Sequence, residues 1–444
     1  MNPSQSSTTS PVTPAPAPPP PAPRGGRFAR LPALAGRGFI PLGLFARLPL
    51  AMLTVGALTL VTAVSGSYAV GGAAAGAVGI GSALGAPVLG ALADRLGQRP
   101  VLLVSALLNT AAVAALILAA YLVPGGPDLA DAVPVLAAAF AAGASCPQVG
   151  PLARVRWMAL SADGGGAGRP GDLDTALSYE STADEITFVL GPALVGILAS
   201  LLSPWLPLAL AAALTLTLVP AFAVHPTHRA VPRTPARDRR AAPAGQRQAP
   251  GQRLAGAAAV GLPVLAMVCM GTFFGSTQTS LSSFAAGFAT AELAGLLYAV
   301  MGLSSAAAAL SVAYWPASVS VHARWLACAA LMAGLAGLLL LPATALPMIL
   351  VLLVLGLPVG PLMVTVFAIG GMVAPEGKLG TVMTALASGI VAGTAVGSSL
   401  AGRLAQDHGY STAFLVPVCA AAALFLLGAA AAVVLRRRAA RPAA

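Results

Sequence analysis

The sequence predicts an all-α membrane protein: twelve transmembrane helices in two six-helix pseudo-symmetric bundles. Three observations carry that expectation. Of 444 residues, 57% are hydrophobic and only 8% charged, whereas a soluble domain carries about 25% charged residues. Apolar runs of the length needed to cross about 30 Å of hydrocarbon as helix recur twelve times. The positive charges then fall almost entirely on one side of those runs.

Taken in order, residues 1–43 are Pro-, Ala-, Ser- and Thr-rich, then studded with Arg24, Arg27, Arg30 and Arg37. Such a composition buries too little apolar surface to offset ordering, so a disordered cytoplasmic tail is expected. It contains no apolar core of a signal peptide. The apolar runs follow at roughly 44–66, 70–92, 101–122, 133–157, 176–202 and 204–224. These form the first bundle, residues 44–224. A polar segment from His225 to Arg253, rich in Arg and Pro, reads as a cytoplasmic linker over 225–255. The second bundle, 256–435, holds runs at 256–281, 291–314, 324–341, 345–372, 378–402 and 411–435, and a basic cytoplasmic tail closes the chain at 436–444. The second, fifth and eleventh runs are Gly-rich, which lets helix backbones approach closely.

With the N-terminus inside, every Arg and the single Lys fall on cytoplasmic segments except Arg403. A missing or extra helix would destroy that segregation. Trp157, Trp205, Trp315 and Trp325 lie near span ends, where an aromatic belt would place them. Cys146, Cys269, Cys328 and Cys419 each sit in an apolar run without C-x-x-C spacing and read as small buried side chains. The four His residues are scattered, so no metal site is expected, and no cofactor. Net charge is +11, but no basic face interleaved with aromatics is present, so nucleic acid is not an expected partner.

The stretch Gly90-Ala91-Leu92-Ala93-Asp94-Arg95-Leu96-Gly97-Gln98-Arg99 joins the second run to the third. Its pattern, G-x-x-x-D-R-x-G-x-R, resembles the signature loop between helices two and three of the major facilitator superfamily of secondary transporters. Gln98 stands where that family has a further basic residue. The resemblance covers about residues 44–435 and implies alternating access, with substrate bound near the midplane between two halves. Val149-Gly150-Pro151-Leu152 recurs as Val359-Gly360-Pro361-Leu362, and Leu173-Asp174-Thr175 pairs with Leu379-Gly380-Thr381. That register sets Gly191 against Gly397 and supports a duplicated unit. Gly90, Asp94, Arg95, Gly97 and Arg99 form the expected gating motif. Asp94 would latch onto amides at the start of helix eleven, near Gly377, with Arg95, Arg99 and Arg156 completing the cluster.

The same register exposes a difference between the halves. Helix five carries Glu180, Asp184 and Glu185, whereas its partner positions in helix eleven include Leu386, Ile390 and Val391. Counted from Thr175, Asp184 and Glu185 lie about 14–15 Å deep, where a charge costs roughly 2.5–3.5 kcal/mol on insertion scales. Two adjacent acids there are hard to keep both ionised, so Asp184, Glu185 and Glu180 are the proton-coupling candidates. A buried structural pair is the competing reading. Glu180, nearer the surface, is expected to partner Arg154 or Arg156. Glu180 and Asp184 share a helix face, and Glu185 points about 100° away.

Beyond Asp184 comes Gly191-Pro192-x-x-x-Gly196, which resembles the helix-five element of drug:proton antiporters; Pro192 frees a carbonyl and Gly191 permits close packing. The buried Arg that those antiporters carry upstream of a Gln-Gly pair in helix four has no counterpart before Gln148. The fold implies a cavity lined by helices one, four, seven and ten, with Thr54, Thr62, Gln148, Thr272, Gln278 and Thr365 as its polar candidates. None is charged, which suits a neutral or cationic lipophilic compound. No G-x-x-x-x-G-K loop is present, so ATP is not the expected energy source. No catalytic nucleophile–base pair is visible either.

The expectation is a monomeric, multi-pass plasma-membrane transporter with both termini cytoplasmic, not an enzyme. Its partners would be a small-molecule substrate, protons and the lipid bilayer. The expected function is proton-coupled efflux of a small lipophilic compound; a proton symporter or uniporter importing a nutrient is the alternative, and a membrane-embedded sensor or enzyme a remote one.

Overall fold

The structure, a computed structural model, describes residues 26–122, 131–162, 171–231, 250–286, 291–316 and 318–439. Among the described residues, twelve helices are long and apolar enough to cross a membrane. They are α1 (Phe39–Ser65), α2 (Ala69–Leu96), α3 (Gln98–Leu122), α4 (Val133–Ala162), α5 (Asp172–Leu201) and α6 (Leu206–Val224). The second set comprises α7 (Gly256–Ala286), α8 (Ala294–Tyr314), α9 (Val321–Leu340), α10 (Ala345–Val373), α11 (Leu379–His408) and α12 (Tyr410–Val433).

The two sets pack alike. In the first, α1 lies against α5 and α6, α2 against α4, and α3 against α4 and α6; each pairing recurs six helices later, with α7 against α11 and α12, α8 against α10, and α9 against α10 and α12. The matched glycines make matched contacts. A Cβ on Gly191 of α5 would lie 2.7 Å from Ala51 Cβ of α1, and one on Gly397 of α11 would lie 2.8 Å from Thr272 Cα of α7 and closer still to its carbonyl oxygen. Only glycine admits backbones this close. The two bundles meet along α2 with α11 and α5 with α8, with further contacts of α4 on α11 and α5 on α10.

Three features depart from expectation. The helical chain starts early: Arg27–Arg30 form a 3-10 turn and Leu31–Ala35 a short helix, and Phe39 already belongs to α1. Leu31, Ala35 and Phe39 are buried, with the Phe39 ring 5.1 Å from Trp157 and 5.5 Å from Phe222. These apolar residues recur at helical spacing among the arginines, a stripe that overall composition hides. Residues 1–25, expected in the tail, lie outside the described residues, as do 232–249 of the linker and 440–444 at the C-terminus.

Second, α4 is broken into Val133–Ala144 and Val149–Ala162. Pro147 has no N–H to continue the ladder. The loose ends find side-chain donors: Asn109 Nδ2 donates to Ala142 O at 2.6 Å and Gln148 Nε2 to Cys146 O at 2.9 Å. Third, Trp157 and Trp325 are buried rather than at an interface, donating through Nε1 to Glu180 Oε1 at 2.8 Å and to Leu424 O at 3.3 Å. Cys419 is exposed and Cys269 only half-buried at the edge of the second bundle's core.

Candidate functional site

Four charged side chains converge between α1, α4 and α5. Arg47 lies eight residues into α1, roughly 12 Å along the helix, and is the hub. Its Nη2 donates to Glu180 Oε2 at 2.5 Å and its Nη1 to Asp184 Oδ1 at 2.7 Å. The remaining Arg47 donors meet Gly43 O at 2.9 Å and Glu180 O at 3.2 Å. Arg154 Nη2 holds the other Asp184 oxygen, Oδ2, at 2.7 Å. The Arg154 guanidinium lies 3.9 Å from the Phe367 ring centroid, on α10 of the other bundle, a cation–π contact. Glu180 and Asp184, four residues apart, do share a helix face, and that face turns to α1.

Glu180 therefore pairs with Arg47, not with Arg154 or Arg156. Residues 154 and 156 point roughly 200° apart on α4. Arg156 faces away, donating to Gln98 Oε1 at 2.8 Å, Phe222 O at 2.8 Å and Thr227 Oγ1 at 3.1 Å.

This cluster floors a pocket between the bundles, bounded by α1, α2, α4, α5, α10 and α11. Arg47, Arg154 and Asp184 line it, so the expectation of an uncharged cavity is overturned. Its walls are otherwise mostly apolar, with Leu50, Ala86, Phe188, Phe367, Ile390 and Val391 among them. Ile390 and Val391 are the aliphatic positions matched to the α5 acids. Of the polar candidates, only Gln148 lines this cavity. Thr54 is exposed and continues the Arg47–Ala51 face of α1 toward the far end. Thr62 lies against α2 near Gly71. Thr272 and Thr365 bond their own helices, to Val268 O at 2.9 Å and Pro361 O at 2.7 Å. Gln278 is exposed near the far end of α7.

Glu185 faces elsewhere. It points from α5 to α8, where Ser305 Oγ donates to its Oε1 at 2.8 Å. Beside it, Thr182 Oγ1 reaches Ala306 O of α8 at 3.1 Å. Glu185 is buried, and among the described residues no cation lies within 4.0 Å of it. The two adjacent acids thus occupy different settings: Asp184 on the cavity floor between two guanidiniums, Glu185 in the seam between bundles.

At the end of the bundle where α2 turns into α3, Asp94 bridges the halves. It accepts from Gly380 N at 2.8 Å, Thr381 N at 2.7 Å and Thr381 Oγ1 at 2.7 Å, all at the start of α11. A carboxylate there meets unsatisfied amides and the positive end of the helix dipole. Gly90 leaves room for the approach, since a Cβ on it would meet Thr384 Oγ1 and Gly380 O. Gly97, with φ +92°, makes the turn. Arg95 and Arg99 are exposed and stay outside this cluster, as does Arg156. Arg324 and Asp174 add a further link at 3.3 Å on the same end, and Arg27 donates to Ala313 O. In α5, Gly191 is the close-contact point with α1, Pro192 sits inside a helix that continues to Leu201, and Gly196 has open space around it. Among the described residues, no group of three or more His, Cys, Asp or Glu gathers as a metal site would.

Sequence reasoning missed Arg47 as a site residue, counting it only among orienting charges, and set Arg154 against Glu180 where the structure sets it against Asp184. Starting the first span at 44 placed Arg47 at a membrane surface; the stripe before it, had it been read as helix, puts Arg47 too deep for that role.

Comparison with known proteins places this geometry. The family model described as Major Facilitator Superfamily matches residues 39–384. No curated protein matches by sequence. Among solved structures, a bacterial homologue of the iron transporter ferroportin in an outward-facing state superposes with TM-score 0.67 at 14% identity, over 92% of this chain and 99% of that one. The human organic anion transporter MFSD10 (TETRAN) gives 0.65 at 20% identity, over 91% and 100%. The E. coli fucose:proton symporter FucP (N162A) gives 0.62 at 16% identity, over 88% and 98%.

Proposed function

The chain belongs to the major facilitator superfamily, and from that premise we propose that this multi-pass membrane transporter couples protons to the export of a small amphipathic compound. The observation that carries the proposal is the arrangement of the α5 acids. Asp184 sits on both cavity guanidiniums, while Glu185 lies one residue on in the seam between α5 and α8.

Taking the Arg-rich end as cytoplasmic, the Asp94 latch closes that side and the cavity belongs to an outward-facing state. An exporter must bind weakly where it releases. Asp184, lying on Arg47 and Arg154, competes there for the groups that would hold a substrate. Glu185, with one hydroxyl partner and no nearby cation, carries the coupling proton. The α5–α8 seam must rearrange as access alternates, and water reaching Glu185 then lets its proton exchange. The two loads, compound or proton, each license the reorientation in turn. The Gly191-Pro192 element keeps α5 tight on α1, so movement at Asp184 is transmitted to Arg47.

Growing cells test direction and energy source together. Cells producing the protein should accumulate less of some member of a panel of fluorescent amphipathic dyes than cells lacking it, and a protonophore should erase the difference. Greater accumulation in producing cells would show import instead.

A further inference from the structure

We propose that the cavity floor receives a single anionic group, a carboxylate or sulfonate on a flat apolar body, and that Arg154 is the residue that takes it. The charge count points there. Arg47, Arg154, Glu180 and Asp184 balance as drawn. Their members differ in how firmly they are held. If Asp184 turns away, Arg47 keeps Glu180 Oε2, Glu180 O and Gly43 O. Arg154 keeps no acid at all, only the Phe367 ring. Its Nε already lacks a hydrogen-bond partner although its side chain is only 1% exposed. Asp184 is the member that can move: its side chain is 16% exposed, against 3% for Arg47 and 1% for Glu180. A swing of Asp184 therefore leaves room for one negative charge.

The surroundings fit that occupant. Gly150 places no side chain over the ion pairs; even a Cβ there would lie 3.3 Å from Asp184 Oδ1 and 3.7 Å from Arg154 Nη1. Phe188, Phe367, Ile390 and Val391 offer apolar walls for the body of the molecule. A cationic compound would meet two guanidiniums, and a neutral one would leave the Arg154–Asp184 pair in place. Asp184 is thus a built-in competitor whose carboxylate marks where the anion goes. The inference rests on reading the cavity as the transport site, but not on direction or on protons.

Binding to the full chain in detergent, without any gradient, tests it independently of export. Three probes share one ring system: naphthalene-1-sulfonate, 1-naphthylmethanol and 1-naphthylmethylammonium. The sulfonate should bind at least about 10-fold tighter than either of the others. Arg154→Gln should weaken it about 10- to 100-fold, the worth of a charge-assisted bidentate contact, and Arg154→Lys should fall between. Asp184→Asn should tighten sulfonate binding by removing the competitor. Opposite shifts in two neighbouring variants are not what a damaged fold gives. No sulfonate binding, equal or tighter ammonium binding, or weaker sulfonate binding by Asp184→Asn would overturn the inference.

Discussion

Arg47→Gln is the perturbation whose cost the structure specifies best. It deletes two ion pairs, of 2.5 Å to Glu180 and 2.7 Å to Asp184. Asp184 still has Arg154, but Glu180 keeps only Trp157 Nε1 at 2.8 Å and its side chain is 1% exposed. An orphaned buried charge of this kind costs about 3–5 kcal/mol. Adding Glu180→Gln removes the orphan, keeps an acceptor for Trp157 and leaves Arg154–Asp184 as a neutral pair. The double variant should therefore recover about 2–3 kcal/mol, near the top of the range for contacting residues. SDS-driven unfolding in mixed micelles, run on the wild type, both single variants and the double, measures that coupling. Additive losses with no recovery would refute the mutual neutralisation on which the cavity floor is argued.

Three further outcomes follow from the same geometry. Asp94→Asn leaves a single acceptor oxygen for two amides and a hydroxyl, weakening closure by about 1–3 kcal/mol; a Thr384→Cys reporter beneath Gly90 should then label several-fold faster from the cytoplasmic side, and unchanged labelling would exclude a latch. Gly191→Ala should cost about 1–3 kcal/mol by overpacking against Ala51, with partial rescue of melting temperature and transport by Ala51→Gly; absence of rescue would locate the strain elsewhere. His225 is held below the usual imidazole range by burial first, then by Arg156 and His228. The unfolded chain therefore takes its proton first as pH falls through about 6.5, so stability should decline on acidification, and His225→Gln should flatten that decline in melting curves.

Much of the fold was legible because apolar length is a local property. Twelve runs, the Asp94 loop and the matched Gly191 and Gly397 could be read without knowing what packs where. The cavity floor could not. Whether Arg47 orients a membrane end or holds a substrate site depends on where α1 begins, and that start is decided by Phe39 burying against Trp157 and Phe222, a tertiary event. Glu180 and Asp184 sharing a face was readable from helical period; that the face meets Arg47 was not. Polar residue type likewise failed to find the cavity: Thr272 and Thr365 bond carbonyls of their own helices and Thr62 packs against α2, while the groups that line it include buried arginines. The break in α4 was signalled by Pro147 but masked by the mostly apolar composition on either side of it.

Proton movement driven by a compound gradient tests the central claim most directly. Naphthalene-1-sulfonate, the anion of a strong acid and so unable to carry protons across lipid on its own, is imposed as a gradient across proteoliposomes with a pH-sensitive dye trapped inside. Protons should move opposite to the sulfonate in the wild type and stop moving in Glu185→Gln, while sulfonate still binds and exchanges. Protons travelling with the sulfonate, or an unaltered proton flux in Glu185→Gln, would contradict proton-coupled export through this carboxyl.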